Sequence, residues 1–268
     1  MANKEHLETL KSGVKPWNHW RGSNPSTKPN LNQACLAGTN LAGCDLAGGD
    51  LRGADLVNAD LKGGKLSAAN LEKATLSGAD ARGVDLENAC LRMLNSKPRL
   101  GVRRMTLERA TLSRADLTGA NLAEADLRKA VLTGADLTRA RLDKADLRQA
   151  KLGRATLVQT DLNLAKASGA KFAGCDLTGA NLRGADLRAA DLTGANLEGA
   201  NLQLADLKGA HLRGVNVKGA NLKGVRLSLR QRIYVTALAT YHTLNTPVGE
   251  FLTKNQPGAA FRVKHLLS

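Results

Sequence analysis

Proline is missing from two long stretches of this 268-residue chain, 31–93 and 105–229; all six copies lie outside them. A proline cannot donate to a backbone ladder, so its absence fits stretches whose N–H groups pair between neighbouring strands. Aromatic residues make up only 3% of the chain, which argues against a broad core of large rings and suits a narrow interior. The four cysteines, Cys35, Cys44, Cys90 and Cys175, show no metal-ligand spacing, and the five histidines do not cluster. The cysteines read as small fillers or chance surface thiols, and no metal or cofactor is expected. No apolar run approaches the ~20 residues of a membrane span, and the N-terminus lacks an apolar stretch long enough for a signal peptide. A cytoplasmic protein is the expectation. A Gly-rich phosphate loop, a nucleophile triad and an HExxH-type cluster are also missing from the sequence, so an enzyme is not expected.

What the chain has is leucine at every fifth position. The position recurs thirteen times from Leu31 to Leu91 and twenty-five times from Leu107 to Leu227; only Ala81, Ala167, Phe172 and Val217 depart from leucine. Two residues before it stands a small residue, usually Ala, and one residue before it usually Asp or Asn, as in Ala115-Asp116-Leu117-Thr118-Gly119. With the leucine position called i, sites i−2 and i are apolar and i−1 is polar, the alternation of an extended chain. Three residues separate i from the next i−2, so the chain must turn once per unit to keep both apolar sites inward. An α-helix does not fit, because period-five positions rotate by about 140° each at 3.6 residues per turn. Nineteen of the twenty-seven glycines fall at i+2, the proposed corner, where unusual backbone angles are needed.

With this A-(D/N)-L-x-x unit, the chain resembles the pentapeptide-repeat family over about three quarters of its length. The resemblance implies an all-β solenoid, a right-handed quadrilateral β-helix with four pentapeptides per coil. Thirty-eight units then give about nine and a half coils and a rod roughly 45 Å long at ~4.8 Å per coil. Stacked leucines would fill the interior.

Five segments follow: an N-terminal cap (1–30), a first array (31–93), an inserted basic loop (94–104), a second array (105–229) and a C-terminal helical segment (230–268). The net charge of +15 divides unevenly among them: +3, −2, +4, +6 and +4 in that order. In the cap, Asn3 is positioned to start a helix whose Leu7, Leu10 and Val14 share a face. Trp17 and Trp20 would cover the open first coil, whose unpaired edge otherwise invites aggregation. The Trp17-Asn18-His19-Trp20-Arg21 leader is similar to that of many bacterial members of the family. The inserted loop reads as a tolerated excursion or as a binding loop in which Lys97, Arg99, Arg103 and Arg104 surround Leu100 and Val102. In the tail, Leu229, Ile233, Ala237, Tyr241 and Leu244 form an amphipathic helical stripe. It would cover the last coil or form a homodimer, as the C-terminal helices of two family subgroups do.

Residues twenty apart should stack on one face. One face carries Arg128, Arg148, Arg188 and Lys208 at i+1 beside Asp126, Asp146, Asp186 and Asp206 at i−1, which reads as solvated pairing. The next carries Arg114, Lys151, Arg154, Lys171 and Arg213 against only Asp191, a candidate basic face. A third tilts acidic through Asp116, Asp136, Asp176 and Glu198. The preferred reading is a non-enzymatic scaffold binding an unidentified protein partner through its loop, ends and charged faces. The family resemblance supplies an alternative, a protein that binds DNA gyrase or another topoisomerase and protects against quinolones by imitating duplex DNA. The chain's positive charge is opposite to that of a DNA mimic. A second alternative is weak, non-specific binding to nucleic acid or anionic surfaces, driven by phosphate neutralisation.

Overall fold

The computed structural model describes residues 1–96, 105–229 and 231. Over residues 30–96 and 105–226 the chain is a β-solenoid. Each i−1 residue forms a parallel bridge with the residue twenty positions on, as in Asp126 to Asp146 and Lys151 to Lys171, so four five-residue units complete one coil. The bridges fall into four columns, which define four walls. The first holds Asp126 and Asp146, the second Lys151 and Lys171, the third Asp136 and Asp176, and the fourth Asp161 and Asn181. The third column alone takes nine steps from Asn30 to Asn216, a rise of roughly 43 Å at ~4.8 Å per step.

The five backbone N–H groups of a repeat unit have a complete set of partners, which explains the sequence of the unit. For the unit around Leu127, Asp126 N donates to Met105 O on the preceding coil, at 3.0 Å. Leu127 N and Lys129 N donate to Asp146 O and Arg148 O on the following coil, and Ala130 N closes the corner by donating to Leu127 O. The remaining N–H, that of Arg128 at i+1, donates to Oδ1 of Asp126 at 3.1 Å. The same bond recurs from Thr118 to Asp116, Arg188 to Asp186 and Gln203 to Asn201. The Asp/Asn preference at i−1 is therefore structural: these short side chains can accept from the backbone two residues on.

The corner residue at i+2 adopts positive φ, with or without glycine: φ is 66° at Gly174 and 58° at Arg154. Glycine there removes steric strain, and it also makes room. A Cβ at Gly174 would lie 3.6 Å from Cγ of Arg154, whose side chain extends over the next coil. Leucine at i and alanine at i−2 are almost wholly buried and stack into one apolar column through both arrays. Phe172 and Ala167 are buried together with them, so the only ring in the column points inward.

The structure moves one boundary. The sequence places 94–104 outside the rod, yet Leu94 is buried, Asn95 bridges both Thr75 and Asn121, and Ser96 N donates to Asn121 O. Leu94-Asn95-Ser96 is one more repeat unit, with Ser96 in the leucine site and its Oγ donating to Asn121 O at 2.6 Å. Bridge partners across this point are twenty-six residues apart in place of twenty, as in Asn95 to Asn121, and the column resumes with buried Met105 at i−2. Six additional residues are thus inserted without loss of register.

The N-terminal segment forms two helices, α1 (Lys4–Lys11) and α2 (Val14–Ser23). Asn3 caps α1, its side chain accepting from His6 N. The single face through Leu7, Leu10 and Val14 does not form, because Gly13, at φ 120°, separates the helices and Val14 begins α2. Instead Leu10 and His6 are buried from α1 and Trp17 from α2.

Candidate functional site

On the first wall the arginines at i+1 are paired, whereas Lys166 and Lys208 have no carboxylate within ion-pair distance among the described residues, Asp206 pairing instead with Arg226. Nε and Nη2 of Arg128 lie 2.9 and 2.7 Å from the two oxygens of Asp126, and Arg188 holds Asp186 in the same fork at 2.8 and 2.7 Å. Arg82 repeats this geometry with Asp80 in the first array. Arg128 also reaches Glu108 on the preceding coil at 3.3 Å. The guanidinium hydrogen bonds hold the Asp80 and Asp186 carboxyls below the usual carboxylate range. Asp50, bonded by Arg52 on the third wall, is lowered to about 2. Such exposed pairs contribute little stability each, roughly 0–1 kcal/mol.

The second wall is different. Lys151 and Lys171 occupy i−1 on successive coils, with Arg114 and Arg154 at the adjoining corner and Arg213 at i+1 nearer the C-terminal end. Among the described residues, none of these five cations has a carboxylate within ion-pair distance. The fold thus places the sequence-predicted basic residues on one wall. Asp191 lies in line after Lys171; its carboxyl is lowered by the Thr193 hydroxyl and backbone N–H, with Lys171 and His211 adding to the effect.

The two ends of the rod contrast. At the N-terminal end, α2 supplies what a preceding coil would. Trp17 Nε1 donates to Asp45 O at 2.7 Å, Asn18 accepts from Asp45 N and donates to Gly43 O, and Arg21 donates to Thr27 O and Ala47 O. Trp20 packs against Trp17 with ring centres 5.0 Å apart, and His6 Nδ1 accepts from Asn30 N. Trp17 and Trp20 are therefore cap residues. At the C-terminal end, Gln231 bonds the final coil, donating to Leu207 O and Ala210 O at 2.7 Å each and accepting from Ser228 N. A small apolar cavity bounded by Leu212, Val217, Leu222, Val225 and Leu227 lies in the column there. No motif or period marks Gln231, a polar residue beyond the last repeat, for this role.

Ile233, Tyr241 and Leu244 of the expected C-terminal stripe lie outside the described residues, as do Lys97, Arg99, Leu100, Val102, Arg103 and Arg104 of the loop. Leu229, the first residue of that stripe, is 74% exposed. Cys44 and Cys175 are buried fillers whose thiols burial pushes up to about 12. Among the described residues no cluster of His, Cys, Asp and Glu could hold a metal ion, and no helix is long and apolar enough to cross a membrane.

The family model described as pentapeptide repeats matches in eight copies, over residues 30–63, 65–92, 110–149, 140–179, 161–203 and 190–228. The chain belongs to the pentapeptide-repeat family. Among solved structures, this pentapeptide-repeat protein is similar to HetL, a protein involved in heterocyst differentiation regulation in the cyanobacterium Nostoc sp. strain PCC 7120. Identity is 32%, over 77% of this chain and 94% of HetL, with a TM-score of 0.40. It is also similar to QnrB1, a plasmid-mediated fluoroquinolone resistance protein, at 20% identity over 72% of this chain and 95% of QnrB1, TM-score 0.37. Rfr23 of the cyanobacterium Cyanothece 51142 shares 40% identity over 37% of this chain and 64% of its own, TM-score 0.24. No curated protein matches the chain.

Proposed function

We propose that this pentapeptide-repeat protein is a non-enzymatic scaffold that engages a protein partner through the loop inserted after Ser96, its ends and its charged walls. The observation that carries this reading is the unbroken register across the insertion. Thr75, Asn95 and Asn121 bridge in one column on either side of the point where the extra residues leave. A segment that departs from and returns to a continuous packed column is held at both ends by rigid elements, a favourable setting for a binding loop. Within this reading the coil winds right-handed and the protein is cytoplasmic. Its C-terminal segment covers the final coil or pairs with a second copy.

The test is an affinity pull-down from the source cell with the full chain and with a chain in which Arg99, Arg103 and Arg104 are changed to serine. A partner retained by the first and released by the second supports the scaffold. Equal retention by both removes the loop from the reading, and inhibition of purified gyrase at stoichiometric protein replaces the reading with topoisomerase binding.

A further inference from the structure

In most units the N–H at i+1 is satisfied by the side chain at i−1; single units on the other walls depart from this, as at Lys166 and Arg141, but on the second wall three successive coils do. Val131, Lys151 and Lys171 occupy i−1 on three successive coils, and His211 follows two coils later. None of these side chains takes the acceptor role of Asp or Asn. Among the described residues, the backbone N–H groups of Thr133, Gly153, Ala173 and Arg213 consequently have no protein acceptor. On the same wall Asp191 still accepts from Thr193 N at 3.2 Å, so the departure follows the side chain and not a distortion of the coil. All four residues are half-buried or exposed, which leaves their N–H groups within reach of solvent.

Backbone N–H groups left open at the surface need water or a ligand as acceptor, and phosphate oxygens are acceptors that backbone N–H groups commonly bind. Here three open groups, at Thr133, Gly153 and Ala173, lie on successive rungs ~4.8 Å apart, beside Lys151 and Lys171, and Arg213 follows beyond the filled rung of Thr193. The floor between these groups is low, made of Gly153, Ala173 and the corner glycines Gly134 and Gly174. The corner glycines accommodate the stems of Arg114 and Arg154, which extend over Gly134 and Gly174 and carry two further cations along the row.

We propose that the second wall binds the phosphodiester backbone of a nucleic acid duplex, without sequence preference. From Arg114 to Arg213 the wall spans five rungs, about 24 Å at ~4.8 Å each. That is the axial length of about seven phosphates on one strand of B-form DNA at 3.4 Å per nucleotide. Lysine and arginine neutralise phosphates, and the open N–H groups add donors aimed at phosphate oxygens. The exposed large apolar side chains of the rod, Met93, Leu164 and Leu204, stand on the third and fourth walls. The second wall thus lacks the apolar anchor around which protein interfaces are built. It also lacks an aromatic platform for the unstacked bases of a single strand. This inference stands independently of the loop-centred scaffold.

The test is titration of the full-length protein into a short fluorescent duplex of mixed sequence, followed by anisotropy between ~50 and ~200 mM salt. The decisive variant is Lys151→Asp with Lys171→Asp. It restores the repeat's own acceptor to Gly153 and Ala173, so the variant retains its fold, as circular dichroism will verify. Affinity is expected to fall about tenfold or more, and the slope of log K against log salt to flatten by about two. Arg183→Asp with Lys223→Asp on the fourth wall changes net charge equally and is expected to weaken binding less than about threefold. Equal losses in the two variants would reduce the effect to net charge and overturn the proposal. So would no duplex binding at ~50 mM salt. Tighter binding to polyglutamate or to phosphatidylserine vesicles than to the duplex would assign the wall to an acidic protein or a membrane surface and overturn it as well.

Discussion

The first and second walls of the second array are built from the same unit and stacked on the same bridges, and they differ mainly at i−1. There the first is mostly aspartate, interrupted by Lys166, and the second has Val131, Lys151 and Lys171 in succession. Where i−1 is aspartate, as at Asp126, Asp146 and Asp186, the carboxylate accepts the i+1 N–H and holds the i+1 arginine in a fork. Charge and backbone are both satisfied locally. Where i−1 is lysine, as at Lys151 and Lys171, the wall presents cations and open N–H groups to solvent. Net charge alone does not distinguish these walls; the residue at i−1 decides whether cations and donors are available to a partner.

The largest effect is expected inside, where the walls meet. Phe172 stands at i on the second wall and Ala167 at i on the first, one unit earlier in the chain, and both are buried. Replacing Phe172 by leucine is expected to cost roughly 1–3 kcal/mol through unfilled volume. Adding Ala167→Leu is expected to recover much of that loss in urea denaturation, the outcome that a ring filling the volume beside the alanine requires. Strictly additive effects in the double variant would show the two departures to be unrelated.

Converting the first wall into the second is the next step. Asp126→Lys with Asp146→Lys removes the acceptors of Arg128 N and Arg148 N and frees two guanidinium groups. A loss of roughly 1 kcal/mol for each lost acceptor is expected, together with tighter binding to a duplex. Unchanged stability would mean that water replaces the carboxylates without loss, and the structural account of i−1 would fail. The reverse conversion, Lys151→Asp with Lys171→Asp, is expected to raise stability by a smaller amount, about 0.5 kcal/mol per new bond. A destabilised double variant would contradict it.

Acid should separate the walls by the smallest margin. Asp80 and Asp186 have lowered folded-state values because arginine bonds their ionised form, and Asp50 falls from 3.8 to about 2 for the same reason. A carboxyl with a depressed folded value contributes stability that is complete above its unfolded value and is lost as pH falls through the folded one. Thermal stability should therefore decline between about pH 4 and pH 2, in step with the carboxylates of the arginine forks. The Lys151→Asp, Lys171→Asp variant should decline more steeply over this range, because it carries two additional carboxylates that accept backbone bonds. Parallel melting curves against pH for both proteins would refute this.

Much of the architecture is legible in the sequence, because a solenoid repeats one local solution. The leucine period gives the coil, the glycine at i+2 gives the corner, and Trp17 and Trp20 give the cap. The cost of reading i−1 as merely polar is the acceptor role of Asp and Asn, although an aspartate two residues before an orphan N–H is a local signal. The extra unit Leu94-Asn95-Ser96 escapes a search for leucine because a buried serine can take the site when its hydroxyl reaches Asn121 O. Gln231 is illegible for another reason: its partners, Leu207 O and Ala210 O, lie more than twenty residues earlier.

The sequence by itself determined that this chain is a five-residue repeat with an apolar column, two different ends and an excess of cations. Those properties depend on spacing and composition, which a linear string contains in full. The twenty-residue period already grouped the cations of the second wall; the tertiary structure alone decided which backbone N–H groups stand open beside them. Pairing and backbone satisfaction are settled between neighbours two residues apart and between coils twenty apart, and only stacking sets the open N–H groups of Gly153 and Ala173 in one row beside Lys151 and Lys171.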